Sequence, residues 1–321
     1  MHAPFHIPIS VRTARSFILV AAVLFGGSFA SAQQDPMYTM YMWNTLSVNP
    51  AYAGSSDLLT ITGLARQQWV GLDGAPSTQT LTLHSPLPQN ALGVGLSVVH
   101  DEVGPINNTL LFADLAYRIH VTQNARLAFG LKAGVDLFHA DLASVPGTDA
   151  SDPLFQQNVS SSAKPNFGFG VYYWSAKGYL GISAPKLIQH DLLDVDNGTT
   201  TVNAITQKRH WFVIGGYVFT LSPAVKFRPS FLVKAVDGAP LSIDITANFL
   251  LAERLWLGIA YRNEDSISGI VAYNITEQFR AGYAYDFTLT ALRSQQGGTH
   301  ELMLQYDFRF NKEKTLSPRY F

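Results

Sequence analysis

The sequence predicts an all-β protein, a transmembrane antiparallel β-barrel of about fourteen strands with an N-terminal segment tucked into its lumen or periplasmic mouth. Three observations lead there. Apolar and polar residues alternate with period two over most of the chain beyond residue 57, the signature of strands with one face against an apolar phase. The polar faces carry glycine, alanine, serine and isolated charges of both signs. In a sheet facing bulk water Lys, Glu and Thr would dominate, so these faces suit a crowded lumen in which charges pair. Charged residues are only 14% of the chain, against roughly 25% in a soluble globular protein, and no apolar run after residue 33 is long enough for a membrane helix. A membrane-embedded chain without such a helix must close its strands into a barrel, because open backbone cannot be satisfied in lipid.

The first 32 residues read as a signal peptide. Arg12 and Arg15 precede the apolar run 17–27, and Ala30-Ser31-Ala32 forms an A-x-A cleavage site that starts the mature chain at Gln33. The alternative, an uncleaved anchor, meets the difficulty that the run is shorter than the ~20 residues a helical span requires. The chain has no cysteine, which excludes a disulfide scaffold and a thiolate metal site, and its net charge of −1 gives no reason to expect a nucleic-acid partner. Residues 33–57 are rich in Met, Tyr and Trp and broken by Pro36 and Pro50. An apolar tail free in the periplasm would be a liability, and a fourteen-stranded barrel has room to take it in. The expected divisions are signal peptide 1–32, plug 33–57, barrel 58–310 and periplasmic tail 311–321.

Fourteen strands are expected near 58–66, 77–84, 91–100, 108–120, 125–138, 166–174, 178–184, 210–220, 224–235, 240–250, 254–262, 267–275, 278–287 and 299–310. Short connections at 85–90, 121–124, 175–177, 221–223, 251–253 and 276–277 alternate with mostly longer ones at 67–76, 101–107, 139–165, 185–209 and 288–298. Short turns belong on the periplasmic side, which places both termini there. The outer connections 236–239 and 263–266 are short and break the alternation. The polar face aims Arg118, Lys132, Asp136, Asp244, Arg262, Arg280, Asp286 and Asp307 into the lumen. Arg or Lys on the lipid side near the midplane would cost about 2–4 kcal/mol. Aromatics at strand ends predict two girdles, with Tyr117, Tyr173, Trp174, Tyr179, Trp256, Tyr273 and Phe308 below and Phe138, Phe167, Trp211, Tyr261 and Tyr285 above. In the last strand Tyr306, Phe308 and Phe310 alternate outward and form the expected insertion signal.

Motifs for chemistry are sparse. Nine histidines show no metal-ligand spacing, and no nucleophile turn of the G-x-S-x-G type occurs, so no catalytic, cofactor or metal residue is assigned. Asp191, Asp194, Asp196 and Asn197 in the loop 191–200 offer oxygen ligands for calcium but lack the terminal bidentate glutamate. The loop RQQWVGLDGAP, 66–76, carries the most information. Trp69 lies among Gly71, Asp73, Gly74 and Pro76, where an indole either folds into the barrel mouth or meets a partner.

Several segments carry a resemblance to a known family: QQDPMYTMYMWNTLSVNPAYAG (33–54), RQQWVGLDGAPSTQTLTLHSPL (66–87), PNFGFGVYY (165–173), GYLGISAPKL (178–187), KAVDGAPLSIDITANF (234–249), LWLGIAYR (255–262), GYAYDF (282–287) and GTHELMLQYDF (298–308). In order and over nearly the whole mature chain, these resemble the PorP/SprF outer-membrane proteins associated with type IX secretion in Bacteroidota. The segments 139–164 and 188–208 depart from the pattern. The resemblance implies a non-enzymatic role in the secretion and surface display of adhesins or gliding proteins. It also implies two kinds of protein partner: lipoproteins of the periplasm and outer membrane, and cargo with a C-terminal sorting domain. Two other readings use the same barrel. A porin or small-solute transporter would leave the lumen open, and a barrel enzyme would gather a catalytic set at one rim.

Overall fold

The computed structural model describes residues 35–88, 91–145, 158–196 and 201–309. Alternation produces strands where the sequence carries it: β1 (Leu59–Gln67), β2 (Ser77–Pro86), β3 (Leu92–Val103), β4 (Ile106–Thr122), β5 (Ala125–Ala140), β6 (Val159–Ser175) and β7 (Gly178–Ala184). A separate hairpin follows, β8 (Asp191–Asp196) with β9 (Thr201–Thr206). The wall resumes with β10 (His210–Tyr217), β11 (Phe219–Ser222), β12 (Val225–Val236), β13 (Ser242–Leu251), β14 (Leu255–Arg262), β15 (Ser266–Asn274), β16 (Phe279–Thr288) and β17 (Thr299–Phe308). Each wall strand pairs antiparallel with its neighbours in sequence, β10 and β11 forming one strand interrupted at Val218. The ring closes where β1 meets β17, from Leu59 opposite Phe308 to Gln67 opposite His300. The result is a closed fourteen-stranded antiparallel barrel, in which no edge is left with unpaired backbone.

The connections sort by end. One end has the turns 123–124, 176–177, 223–224, 252–254 and 275–278 and the connection 87–91; the other has 68–76, 141–158, 185–209 and 289–298, with shorter links between. Short turns mark the periplasmic end of such barrels, and that rule orients the molecule here. Three expectations need correction at the outer end. β3 and β4 extend until only Gly104 and Pro105 separate them, because Val103 and Ile106 still pair. β5 runs to Ala140 and β6 begins at Val159, so part of the expected loop 139–165 is wall. The expected loop 185–209 contains the β8–β9 hairpin.

Outward side chains are apolar and open. Leu131 is 65% exposed and Ile259 66%, and Leu96, Leu180, Ile245, Leu302 and Leu304 belong to the same surface. A belt this large on a soluble protein would drive aggregation, whereas facing acyl chains it is at home. Tyr117, Tyr173, Tyr273, Phe167, Trp211 and Tyr261 are exposed on it, as the girdles require. Phe138, Trp174, Tyr179 and Trp256 are not; all four are buried. Position at a strand end suggested a girdle, but side-chain parity decides the face. Trp174, Tyr179 and Trp256 pack in the core formed with the N-terminal segment.

That segment makes the core. Met40, Tyr41, Met42, Trp43, Leu46, Ala51 and Ala53 are each at most 3% exposed. With two prolines and no run of helix-forming residues, the chain takes three single 3-10 turns: Tyr41–Trp43, Thr45–Ser47 and Pro50–Tyr52. Asn49 caps the last, its side chain accepting from the Ala51 N–H. Small wall residues admit the backbone. A Cβ at Gly93 would stand 2.1 Å from the Ala53 oxygen, and one at Gly130 2.2 Å from the Ala51 nitrogen.

Candidate functional site: a filled lumen beneath a pinned outer loop

The segment's polar backbone is satisfied by the wall, residue by residue. At the outer end Lys186 Nζ lies 2.5 Å from Asp35 Oδ1, and the Asp35 N–H donates to His210 Nε2. Burial opposes the charge of Asp35, but Lys186 above all outweighs it and holds the carboxyl below the ordinary carboxylate range. Tyr38 Oη and Thr80 Oγ1 share a hydrogen bond at 2.7 Å, and the Tyr38 carbonyl accepts from Arg262 at 3.5 Å.

Next comes a buried ionic cluster. Arg66 Nη2 stands 2.7 Å from Asp286 Oδ2 and Nη1 2.8 Å from Glu301 Oε2, with every partner side chain at most 2% exposed. Glu301 also accepts the N–H groups of Thr39 at 2.9 Å and Met40 at 2.7 Å. The Thr39 hydroxyl bridges the cluster, accepting from Arg66 and donating to Asp286. Wall charge and plug backbone are therefore one network. Desolvated charges are tolerable only when paired and fully hydrogen-bonded, and here much of that bonding comes from the plug.

Deeper in, Trp43 meets Trp256 edge-on with ring centres 5.7 Å apart, and the Arg228 guanidinium lies 4.9 Å from the Trp43 ring and 4.4 Å from the Trp256 ring. Asn49 donates to the Val171 carbonyl, and Ser183 Oγ to that of Val48. At the periplasmic end the Gly54 N–H donates to His84, the Gly54 carbonyl accepts from Arg118, and Asp57 pairs with Arg118 at 3.1 Å and Arg126 at 2.7 Å. The segment thus spans the lumen from the outer end to the periplasmic end before β1 turns back. The expectation that this terminus begins in the periplasm is corrected: Asp35 sits at the opposite end.

The eight residues aimed at the lumen by alternation are found as follows. Arg118, Lys132, Asp136, Asp244, Arg262 and Asp286 are buried, and Arg280 and Asp307 are half-buried. Lys132 pairs with Asp114 at 3.0 Å, Arg262 with Asp244 at 2.6 Å, and Asp136 accepts from Gln207 at 2.6 Å. Arg280 donates to Gln305 and lies 5.8 Å from the Trp43 ring, and Asp307 accepts from Thr60 at 2.8 Å. Arg66, Glu301 and Arg228 were not singled out from sequence. Glu301 sits on an alternating polar face, so strand parity was the available signal. For Arg66, at the loop boundary, and Arg228, beside Pro229, that signal was weaker.

The Trp69 loop is tied down on both sides. The Trp69 N–H donates to Thr299 Oγ1 at 3.2 Å, the Val70 N–H to the Gly298 carbonyl at 2.9 Å, and the Gly104 N–H to the Gly74 carbonyl at 3.0 Å. Gly71 and Gly74 have φ of +95° and +74°, as turns of this kind require. Trp69 itself has φ of +44°, a left-handed conformation that costs a bulky residue about 1–2 kcal/mol and is held by those contacts. Its side chain is half-buried; Asp73 and Gly74 are exposed and Pro76 half-buried. Of the proposed calcium ligands, Asp191, Asp194 and Asp196 lie on β8, with Asp191 accepting from Thr206 at 2.8 Å, and Asn197 is outside the described residues. Among the described residues no group of three or more His, Asp or Glu is placed to hold a metal.

In the last strand Tyr306 is exposed and stands 4.6 Å, edge-on, from the half-buried Phe308; Phe310 lies outside the described residues. Replacing Phe308 and Phe310 together with Ser is expected to lower the amount of barrel assembled in the outer membrane, read by fractionation and immunoblot. Assembly at the wild-type level would refute the insertion role.

A closed barrel with an apolar belt, aromatic girdles and short turns at one end defines an integral outer-membrane protein. Its lumen is occupied by its own N-terminal segment. The family model of the type IX secretion system membrane protein PorP/SprF matches residues 30–306, and the chain belongs to that family. No curated protein matches it. Solved outer-membrane barrels share the fold at low identity. The TodX deltaS2S3 mutant, a monoaromatic hydrocarbon channel, has a TM-score of 0.50 and 10% identity, covering 83% of this chain and 94% of its own. The CymD monoaromatic hydrocarbon channel has 0.49 and 11%, covering 83% and 92%. The Acinetobacter baumannii outer membrane protein Omp33 has 0.42 and 9%, covering 79% and 100%.

Proposed function

We propose that this barrel is a non-enzymatic docking platform of type IX secretion, holding or assisting exported surface proteins at its outer rim. The observation that carries the reading is the filled lumen. A segment of the chain itself occupies the lumen, bonded to Arg66, Asp286, Glu301 and Arg118 of the wall, and takes the space a solute would need, so the outer face is left as the working surface. The receptor face consists of the Trp69 loop with the connections 141–158 and 185–209, which share the outer end of a rigid scaffold, where recognition usually sits. Its occupant is an exported adhesin or gliding protein carrying a C-terminal sorting domain, and the short turns face lipoproteins of the secretion machinery. The rival reading, a small-solute porin, is disfavoured by the plug.

Trp69→Ala tests the docking role. An aromatic anchor in a partner pocket contributes about 2 kcal/mol or more, so capture should weaken roughly 30-fold at a normal level of barrel. Two measurements on one strain decide it: barrel in the outer membrane, and partner retained on the cell surface. If retention stays unchanged, or falls only in proportion to the barrel, Trp69 is not an anchor.

A further inference from the structure

We propose that the chain is threaded outward through its own barrel, so that the processed N-terminus is displayed at the extracellular mouth. Three things on the molecule carry this. Asp35 is held at the outer end by Lys186, which follows β7, and by His210, which opens β10. Contacts then proceed in order toward the periplasmic end: Tyr38 to Thr80, Thr39 and Met40 to Glu301, Asn49 to Val171, and Gly54 to Arg118. The direction is therefore set by buried bonds along the whole path and not by one contact at its start. Finally, cleavage after Ala32 would leave only Gln33 and Gln34 before Asp35, and two residues span at most about 7 Å. The new terminus cannot reach back to the periplasmic end from there.

The consequence is topological. The polypeptide reaches the outer membrane from the periplasm, so residues ahead of Tyr38 must travel the length of the lumen while the barrel assembles. The β1–β17 seam must close around a segment already in place. Asp35 lies beside Lys186, across the ring from the Trp69 loop, so a chain end displayed just ahead of it would offer an exported partner seated on that rim a group that backbone donors and acceptors recognise well. This placement shares the orientation assumed for docking but not the docking itself.

The chain lacks cysteine, so single cysteines report side directly. Gln34→Cys lies ahead of every contact described above and leaves the plug's packing intact; Asp73→Cys marks the outer loop and Lys177→Cys a short turn. Cells producing each variant are treated with a membrane-impermeant maleimide, before and after disruption of the outer membrane. The expected result is that Gln34→Cys labels on intact cells to the extent that Asp73→Cys does, while Lys177→Cys labels only after disruption. Labelling of Gln34→Cys only after disruption, with Asp73→Cys still reactive on intact cells, overturns the proposal and leaves docking standing. Reactivity of Gln34→Cys only in the denatured barrel also overturns it, because the end is then buried. Reversal of the Asp73 and Lys177 controls would refute the orientation, and with it both readings.

Discussion

Arg66→Ala is expected to destabilise the barrel by about 3–5 kcal/mol, the cost of leaving buried carboxylates without their cation. Asp286 and Glu301 are nearly inaccessible and both rest on this one guanidinium. Glu301 also holds the Thr39 and Met40 N–H groups, so loss of Arg66 loosens the plug and the wall together. The folded barrel should show a lower urea midpoint and lose its compact, heat-modifiable band on electrophoresis. A triple variant, Arg66→Met with Asp286→Asn and Glu301→Gln, removes the charge imbalance while keeping the shape and one of the two backbone N–H bonds that Glu301 accepts, and is expected to recover part of the loss. An unchanged midpoint in Arg66→Ala would mean that the cluster does not hold the plug.

Gly130→Val is expected to open the lumen. A side chain there starts 2.2 Å from the Ala51 nitrogen and 2.4 Å from the Pro50 carbonyl carbon, which are backbone atoms that cannot rotate aside. The Pro50–Tyr52 turn must leave its seat, and it is continuous with the bonds that Asn49 makes to β6. In planar bilayers the wild-type barrel should stay nearly closed. The variant should conduct about tenfold more or better, since a barrel of this size without its plug leaves an aqueous lumen. Gly63→Val is the control: Gly63 lies in β1, and a Cβ there meets nothing within 4 Å, so conductance should not change. A Gly130→Val barrel that inserts normally and stays closed would show that the plug tolerates displacement without opening a path.

The wall was legible in the sequence because a strand's parity is local. Once Leu131 and Ile259 are recognised as lipid-facing, Lys132 and Gly258 must point inward, and the turns follow from where alternation stops. The same local rule makes Arg118, Lys132, Asp136, Asp244, Arg262, Arg280, Asp286 and Asp307 inward positions, and the Met, Tyr and Trp crowded into residues 33–57 show that this segment needs cover. What parity cannot supply is distance between elements. Trp256 and Trp174 read as girdle residues from their place near strand ends, yet they pack against the segment carrying Trp43. Nothing in the sequence pairs Arg66 with Asp286 and Glu301, 220 and 235 residues away, because register around a closed ring is set by all the intervening hairpins together. Nor does it reveal which way the plug runs. A segment without alternation or helical period has no intrinsic direction relative to the wall, and only Lys186 meeting Asp35 at one end, with Arg118 meeting Gly54 at the other, decides it. Local periodicity therefore determined the barrel, while long-range burial of charge and backbone determined what fills it.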